Sequence, residues 1–443
     1  MSSERSAEYV LQTVGKRGIR FVRLWFTDVQ GFLKSVAISP AELEVAITEG
    51  MTFDGSAIDG YARVQEADMI ARPDPETFQI IPWRAEHDVA RMFCNIERPD
   101  GTPFEGDPRH VLQRNLRAAA DAGYSFYVGP EVEFFYFRDA GPDPEVLDRG
   151  GYFDLTPLDT AQEYRRTTIM HLEQLGIPVE YSHHEVAPSQ HEIILRYDDA
   201  LSMADNVMTF RLAVKEVALS HGLHATFMPK PLEAHDGSGM HLHLSLFDER
   251  GNAFWDGDAP DGLSPVAKSF IAGILDHAPA LTAITNQWVN SYKRLVAGFE
   301  APIHTTWARN NQSALVRVPT PKTGKPESTR VELRSPDAAT NPYLAFSAVL
   351  AAGLDGIRRG AVPPDELLDD AHALSASERA ERGIRRLPET LSEALNELAA
   401  SELLHEALGE HVVDWFLRNK RKEWDRYQHH VSRFELEHYL PVL

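Results

Sequence analysis

The sequence contains a single cysteine, no apolar stretch long enough to cross a membrane, and fewer basic than acidic residues. The lone Cys94 excludes an intrachain disulfide framework and is typical of a reducing compartment. A bilayer span needs about 18 to 20 apolar residues, and the opening MSSERSAEY also lacks the apolar core of a signal peptide. These absences predict a cytoplasmic protein that is not embedded in a membrane.

Positive charge is in deficit, because 44 Lys and Arg residues accompany 66 Asp and Glu residues, a net charge of −22. This balance argues against general binding to nucleic acid or to an anionic membrane. The absence of a GxxxxGK[ST] motif excludes a P-loop nucleotide site, and the histidines lack zinc-finger spacing. With 443 residues, the chain is long enough for two or more domains.

Turn signals and helical periodicity divide the chain into two unequal parts. The turn-rich segment PDGTPFEGDP, residues 99–108, is the first predicted domain boundary. Residues 19–38 before it have the composition of two strands joined by a turn. After it, a helix is predicted with Asp107 as its N-cap and Gly123 as its end, and residues 363–441 are mostly helical.

The segment GPEVEFFYF, residues 129–137, has the composition of a strand but carries two carboxylates. Because side chains alternate along a strand, Glu131 and Glu133 should share one face while Val132, Phe134 and Tyr136 occupy the other. Two like charges on one strand face repel each other. The segment therefore needs a positive partner.

Three further segments place ionisable side chains in similar positions. GMHLHLSL contributes His241, His243 and Ser245, TRVELRSP contributes Arg330, Glu332 and Arg334, and HHEVAPSQHEI contributes Glu185 and Glu192. Taken singly, each such residue is more often a solvated or structural side chain than part of a site. If the strands pair in one sheet, five carboxylates and a histidine converge, and only cations could neutralise them.

Such a cluster predicts a particular chemistry. Oxygen-dominated ligation with one imidazole suits Mg²⁺ or Mn²⁺ rather than zinc or copper. Arginines beside it indicate phosphate or carboxylate groups, which a guanidinium binds bidentately. Metal ions, arginines and anions together favour phosphoryl transfer.

The motifs together resemble one family. The chain contains MTFDGSAIDGYARVQEADM, GPEVEFFYF, HHEVAPSQHEI, KPLEAHDGSGMHLHLSL, NSYKRLVAGFEAP and RVELRSPDAATNPYLAFSAVLAAGLDGI, in the order of class I bacterial glutamine synthetases of the shorter alpha form. This resemblance implies an α+β fold. An N-terminal β-grasp-like domain, residues 1–103, would precede a catalytic domain, residues 104–443, with a curved antiparallel sheet flanked by helices and a helical C-terminal region. It also implies a homo-dodecamer of two hexameric rings, with active sites between neighbouring subunits.

The resemblance also assigns roles to individual residues. Six match ligands of two Mg²⁺ or Mn²⁺ ions: Glu133, Glu185 and Glu192 for the metal nearer glutamate, and Glu131, His241 and Glu332 for the metal that bridges the ATP phosphates. Residues that match ATP contacts are Glu180, Tyr197, His243, Ser245 and Arg330, and those that match glutamate contacts are Gly237, Arg294 and Arg334. Catalytic matches are Asp54 for ammonium, Glu300 in a flap and Arg317 for the transferred phosphate, and Arg63 matches a residue linked to glutamine feedback inhibition.

The implied activity is ATP-dependent ligation of glutamate and ammonia through γ-glutamyl phosphate. The sequence departs from the usual pattern at Ala57, where serine is common, at Asp236, where asparagine is usual, and at Gln312, where a phosphate-contacting arginine is common. Because relatives join glutamate to polyamines or monoamines, a γ-glutamyl-amine ligase stays open as an alternative. Retained Asp54 and Glu300 favour ammonia, and the retained metal-ligand matches disfavour a non-catalytic scaffold protein.

Overall fold

The structure is a computed structural model and describes residues 3–58, 60, 68–298, 301–322, 324–325, 328–369, 371 and 374–443. Its N-terminal part contains α1 (Ser3–Arg17), β1 (Phe21–Thr27), β2 (Leu33–Ile38), α2 (Leu43–Glu49), β3 (Met51–Asp54), β4 (Asp68–Pro73), β5 (Gln79–Ile80) and β6 (Val89–Glu97). These strands form one sheet in the order β2-β1-β6-β4-β3, with β5 beside β6. Only the β1–β6 pair is parallel among these described strands.

The N-terminal sheet has its own apolar core. Leu24 of β1, Ala71 of β4 and Met92 of β6 are fully buried, and Val10 of α1 and Leu43 of α2 pack in the same cluster. Alternation along each strand accounts for this arrangement, since every second side chain points to the same face. The two strands predicted within residues 19–38 are confirmed as β1 and β2.

The larger part of the chain begins with α3 and contains a second sheet. Its first elements are α3 (Pro108–Asp121), β7 (Ser125–Phe137), α4 (Gln162–Gln174), β8 (Val179–His184), β9 (Gln190–Leu195), β10 (Asp198–Asp199), α5 (Ala200–Ser220), β11 (His224–Thr226), β12 (Met240–Asp248), β13 (Gly251–Asn252), α6 (Pro265–Thr285), α7 (Ser291–Arg294), β14 (Trp307–Ala308), β15 (Val316–Arg317) and β16 (Val331–Leu333). They are followed by α8 (Pro342–Arg359), α9 (Ala376–Glu381), α10 (Leu391–Ala400), α11 (Glu402–Leu408), α12 (Glu410–Gln428) and α13 (Arg433–His438).

This second sheet, called here the large sheet, follows the order β14-β15-β16-β12-β7-β9-β8. The short strands β10 and β11 pair with β7, and β13 pairs with β12. Val132, Phe134 and Tyr136 of β7 are fully buried on the core face, as the alternation predicted. Helices cover that face, and an α+β fold is therefore confirmed.

Helices α6 and α8 pack against each other at unusually close range. A Cβ added to Gly273 of α6 would lie 2.1 Å from the Ala352 carbonyl oxygen, and one added to Gly356 of α8 would lie 2.0 Å from the Ser269 carbonyl oxygen. Glycine is therefore required at both crossing points. Within the described residues, no helix has both the length and the apolar composition to cross a membrane.

The predicted start of α3 is confirmed, whereas one predicted long helix is divided into two. The Asp107 side chain accepts a hydrogen bond from the Arg109 N–H at 3.0 Å, and α3 begins at Pro108, as predicted. The segment SELLHEALGEHVVDWFLRNKRKEWDRY, which has the periodicity of one long helix, is instead divided into α11 and α12. Gly409 separates them with a φ of 86°, a conformation that glycine adopts without a steric penalty.

Candidate active site

Three neighbouring strands of the large sheet present their ionisable side chains on one face. Strand β12 lies between β7 and β16, so the pairing expected from the shared alternation is confirmed. The register places Glu131 of β7 opposite His241 of β12, and His243 of β12 opposite Glu332 of β16. Because directly opposed residues point to the same face, these four side chains form one surface.

One part of this surface is rich in arginine and is called the arginine half. It consists of Glu131, His241, His243, Arg317, Arg330, Glu332 and Arg334. Glu332 lies at its base with a fully buried side chain. The Arg334 Nη1 donates to one carboxylate oxygen of Glu332 at 2.8 Å, and the Arg317 Nη1 donates to the other. The negative charge of Glu332 is therefore balanced by two arginine side chains of the protein.

The two histidines of the arginine half have different partners. The Arg330 Nε donates to His243 Nδ1 at 3.0 Å, so the proton of a neutral His243 ring lies on Nε2, which donates to Glu131 at 2.8 Å. His241 Nδ1 makes a long hydrogen bond of 3.4 Å with Glu131 and lies 3.7 Å from Glu332, beyond hydrogen-bond distance. Its Nε2 is buried and has no hydrogen-bond partner within the described part of the chain.

The other part of the surface is the glutamate half, formed by Glu133, His183, Glu185 and Glu192. Strand pairing places Glu133 of β7 opposite Glu192 of β9, and Glu192 opposite His183 of β8. The His183 Nε2 lies 2.7 Å from Glu185 Oε1 and 3.3 Å from Glu192 Oε2. The Gly239 N–H donates to Glu133 at 2.8 Å. No arginine forms an ion pair with these three carboxylates in the described residues.

The pKa values of the carboxylates differ between the halves. Burial alone would raise the pKa of Glu131, but hydrogen bonds from His241 and His243 hold it well below its usual range. Burial likewise opposes ionisation of Glu332, but the charges of His243, His241 and Arg334 lower its pKa. Both carboxylates of the arginine half are therefore stabilised as anions by groups of the protein.

The glutamate half shows the opposite direction of shift. Burial and the neighbouring charge of Glu185 raise the pKa of Glu133 to about 8. Burial together with the charges of Glu131, Glu133 and Glu185 raises the pKa of Glu192 well above its usual value. These carboxylates lack sufficient positive charge from the protein.

The donor set fits divalent cations in both halves. One atom each of Glu131, His243 and Glu332 lie within 4.8 Å of one another, and the same holds for His183, Glu185 and Glu192. Because His243 Nε2 carries a proton and donates to Glu131, the neighbouring His241, whose Nε2 has no hydrogen-bond partner among the described residues, is the better imidazole donor in the first group. Carboxylate oxygens with an occasional imidazole are the ligands that Mg²⁺ and Mn²⁺ accept. Two ligands at right angles around such an ion stand about 3 Å apart, close to the separations of His241 from its carboxylate neighbours.

Two of the three predicted glutamate contacts, Arg294 and Gly237, lie beside the glutamate half. Arg294 is 2% exposed and donates to the carbonyl oxygen of Ser335 at 2.8 Å. A Cβ at Gly239 would lie 2.5 Å from Arg294 Nη2, and one at Gly237 would lie 2.2 Å from the Pro229 carbonyl oxygen. Glycine is therefore required at Gly237, where the clash would be with backbone, and the guanidinium of Arg294 lies directly against Gly239. Arg334 belongs to the arginine half, beside Glu332.

The predicted ATP contacts extend from the arginine half along the large sheet. Ser245 pairs with Tyr127, and the ring centroids of Tyr127 and the exposed Tyr197 are 6.1 Å apart. Glu180 is exposed on β8. The β8–β9 register is irregular at this residue, which lies between Val179, the partner of Leu195, and Tyr181. Arg330 and His243 are directly hydrogen-bonded.

Asp54 lies elsewhere in the molecule. It ends β3, the edge strand of the N-terminal sheet, and its carboxylate accepts hydrogen bonds from the Ser56 N–H at 2.8 Å and the Ser56 hydroxyl at 2.6 Å. The exposed Ala57 follows in the same turn. Glu300 and Arg63 lie outside the described residues.

Two of the departures from the family pattern lie in different surroundings. Asp236 is half-buried, and its charge acts on Lys230 and on Arg294. It therefore adds negative charge beside the predicted glutamate site. Gln312 is exposed in the loop that precedes β15.

Some residues of the site were missed by reasoning from sequence. His183 bridges Glu185 and Glu192, and its signal was the alternation of β8, which places it two residues before Glu185. Gln190 Nε2 donates to Glu133 at 3.1 Å and to the Gly237 carbonyl oxygen at 3.1 Å. The Gln190 contacts join distant parts of the chain and have no local sequence signal.

With this geometry established, comparison with known proteins identifies the family. The sequence pattern described as "Glutamine synthetase, catalytic domain" matches residues 105–439, and "Glutamine synthetase, beta-Grasp domain" matches residues 18–99. The chain belongs to the glutamine synthetase family. The β-grasp expectation for the N-terminal part is thereby confirmed.

Individual members of the glutamine synthetase family match along nearly the full chain. The glutamine synthetase of Mycolicibacterium smegmatis is 57% identical over 99% of this chain and 100% of its own length. That of Methanosarcina mazei is 48% identical over 98% of each chain. A solved structure described as a GmaS/ADP complex is 34% identical, covers 97% of this chain and 99% of its own, and superposes with a TM-score of 0.89.

Proposed function

We propose that this glutamine synthetase family member is an ATP-dependent glutamate–ammonia ligase that forms glutamine through γ-glutamyl phosphate. The observation that carries the proposal is the division of one sheet face into an arginine half and a glutamate half. The first suits transferred phosphate because guanidinium groups bind phosphate oxygens, and the second suits a cation. Full-length relatives named glutamine synthetase support the same activity.

We assign the two cation sites to the two halves. Glu133, Glu185 and Glu192 would hold one Mg²⁺ or Mn²⁺ ion, and Glu131, His241 and Glu332 would hold another. Bound divalent cations would polarise phosphate oxygens and neutralise the charge that develops during phosphoryl transfer.

The residues of the chain have distinct tasks in this proposal. Arg317 and Arg334 stabilise the transferred phosphate and the glutamate carboxylate, and Arg294, bordered by Gly237, orients the rest of glutamate. Glu180, Tyr197, His243, Ser245 and Arg330 bind ATP.

Amine transfer needs two further groups. Asp54 holds ammonium and accepts its proton, because ammonium must lose a proton before it can attack the activated carboxyl carbon. Glu300 closes over the site and excludes water, which would otherwise hydrolyse γ-glutamyl phosphate.

The position of Asp54 on the N-terminal sheet favours a site shared between subunits. We propose a homo-dodecamer of two hexameric rings, in which a neighbouring subunit supplies Asp54 to each active site. Within each chain, we propose an N-terminal domain of residues 1–103 and a catalytic domain of residues 104–443. The C-terminal residues Leu440, Val442 and Leu443 are at least 75% exposed and suit burial against another ring. Arg63 would respond to glutamine. The buried Cys94 is compatible with the cytoplasmic location that we propose.

Ammonia is favoured over larger amines as the second substrate. Full-length relatives at 46–57% identity are named glutamine synthetase, whereas the described GmaS/ADP complex is 34% identical. The replacement at Ala57 removes one hydroxyl from an exposed turn. A change of this size alters substrate choice by only about 1–3 kcal/mol.

The test measures phosphate release by the purified protein with ATP, Mg²⁺ and glutamate. Ammonium is compared with putrescine, spermidine, ethanolamine and methylamine, and products are identified by mass spectrometry. We expect saturable release with ammonium and a glutamine product, while reactions without glutamate provide the background. Release only with a larger amine would overturn the proposal, and Ala57→Ser would then be the first variant to examine.

A further inference from the structure

A fully buried ion pair lies beneath the loop that precedes α4. The Asp148 carboxylate is 3.0 Å from His184 Nε2, and the two side chains are 1% and 0% exposed. Asp148 also accepts the Ser189 N–H at 2.8 Å. A loop residue is thus connected to both ends of the β8–β9 turn, which carries Glu185 between them.

His184 connects this pair to the glutamate half. Its second ring nitrogen, Nδ1, donates to the backbone carbonyl oxygen of Glu185 at 2.7 Å. A carbonyl oxygen can only accept, so Nδ1 carries a proton and the ring orientation is determined at both ends. Asp148 therefore fixes the orientation of the His184 ring, and the ring in turn fixes the position of the Glu185 backbone carbonyl.

The loop is attached to the turn by further hydrogen bonds. The Ser189 hydroxyl accepts the Leu147 N–H at 2.6 Å and the Asp148 N–H at 3.3 Å, and the Phe153 N–H donates to the His184 carbonyl oxygen at 3.1 Å. Ser189 is fully buried with a φ of 62°, a conformation costly for a residue other than glycine. The surrounding contacts must therefore hold this turn in its observed shape.

The same loop also covers the glutamate half from above. The rings of Tyr152 and Phe153 stack at 4.1 Å and meet the His183 ring edge-on at 5.2 and 4.7 Å. His183 in turn lies against Glu185 and Glu192. Two routes thus lead from the loop to Glu185, one through its backbone and one through its side chain.

A third metal ion is a poor explanation of this cluster, although Asp148, His184 and His191 come within ligand distance of one another. The Arg165 Nη1 lies 2.8 Å from His191 Nδ1, and a guanidinium can only donate. His191 Nδ1 must accept, so its Nε2 carries the proton and cannot bind a metal. The buried Arg165, paired with Asp159, adds positive charge beside the cluster.

We propose that Asp148 and His184 form a positioning pair that orients Glu185 for cation binding in the glutamate half. The proposal rests on the function proposed above. Neither residue touches the reacting atoms. Partners that orient metal-ligating residues typically affect metal affinity by about 10–100-fold when they are changed.

The test compares Asp148→Asn with Asp355→Asn. Asp355 pairs with His277 at 2.9 Å between α8 and α6, so the control makes the same chemical change in another Asp–His pair. Mn²⁺ affinity is measured by calorimetry and by paramagnetic resonance, without substrates, together with the melting temperature in EDTA. We expect Asp148→Asn to weaken one Mn²⁺ site by about 10–100-fold, and Asp355→Asn to leave Mn²⁺ binding at the parent affinity.

Parent-like Mn²⁺ affinity in Asp148→Asn, whatever its melting temperature, would overturn the positioning role while leaving the proposed function intact. Absence of any Mn²⁺ binding by the parent protein would overturn both. If Asp148→Asn does not fold, His184→Gln keeps a donor towards Asp148 and loses the donation to the Glu185 carbonyl. It should show the same weakening, and parent-like affinity in this variant would likewise refute the pair.

Discussion

The arginine half and the glutamate half each contain a buried carboxylate, Glu332 and Glu192, and the two carboxylates meet opposite electrostatic conditions. Glu332 has two guanidinium partners, and its pKa is lowered. Glu192 has one histidine at 3.3 Å and several carboxylate neighbours, and its pKa is raised. The two positions belong to the same face of the same sheet, so burial alone does not determine the charge of a buried acid. Its partners do.

This difference explains why one face can bind both an anion and a cation. The arginine half has its charges paired before any ligand arrives, which is the condition for electrostatic preorganisation. The glutamate half is repulsive in isolation and gains stability when a cation binds. Variants in the two halves should therefore change the stability of the metal-free protein in opposite directions.

The largest effect is expected for Glu332→Gln. Removing this buried charge leaves Arg317 and Arg334 without their anionic partner, which typically costs about 3–5 kcal/mol. The melting temperature in EDTA should fall, and activity should fall by at least about 10²-fold. Differential scanning calorimetry and phosphate release test these expectations. An unchanged melting temperature would show that the arginines do not depend on Glu332.

Glu192→Gln should produce the opposite result for stability and the same result for activity. Burial and neighbouring carboxylates raise the pKa of Glu192, so keeping this carboxyl group in the folded protein costs free energy at neutral pH that glutamine does not incur. The EDTA-treated variant should therefore be more stable than the parent by about 0.5–2 kcal/mol. Activity should be lost together with one Mn²⁺ site. A lower melting temperature in EDTA would contradict the proposed difference between the halves.

The alternation that identifies this face could be read from the sequence because side-chain period is a local property. Glu131, Glu133 and Glu332 were predictable for that reason, and so was their convergence once the strands were assumed to pair. Contacts between distant loops were not predictable, such as Asp148 with His184. The break at Gly409 had a local signal, but helical periodicity on both sides concealed it.

The raised pKa of Glu133 predicts that metal binding depends on pH. In the metal-free protein this group keeps its proton up to about pH 8, whereas an unfolded glutamate loses it near about 4.3. Its contribution to stability is therefore present at low pH and lost as pH rises through 8. A cation must displace this proton, so titration of Glu133 should raise the Mn²⁺ affinity at this site by up to about tenfold per pH unit until pH 8, where the Glu133 contribution levels off.

Calorimetry in two buffers of different ionisation enthalpy measures the protons released. Because the pKa of Glu192 is raised as well, we expect release of at least about one proton per ion at the glutamate half near pH 7, with the Glu133 share decreasing above pH 8. An affinity that is constant between pH 6 and 8 would contradict the raised pKa of Glu133.

The smallest effect is expected at Asp236, which lies outside both halves and whose charge acts on Arg294. If Arg294 binds a glutamate carboxylate, the Asp236 charge competes with the substrate for the same guanidinium. Asp236→Asn should therefore lower the KM for glutamate and leave kcat unchanged. A partly exposed charge interaction is worth about 0.2–1 kcal/mol, so the expected decrease is about 1.5- to 5-fold. Because salt screens exposed charges, the difference in KM should shrink at high ionic strength. A higher KM for glutamate in the variant would contradict this prediction and would indicate that Asp236 binds the α-ammonium group of glutamate.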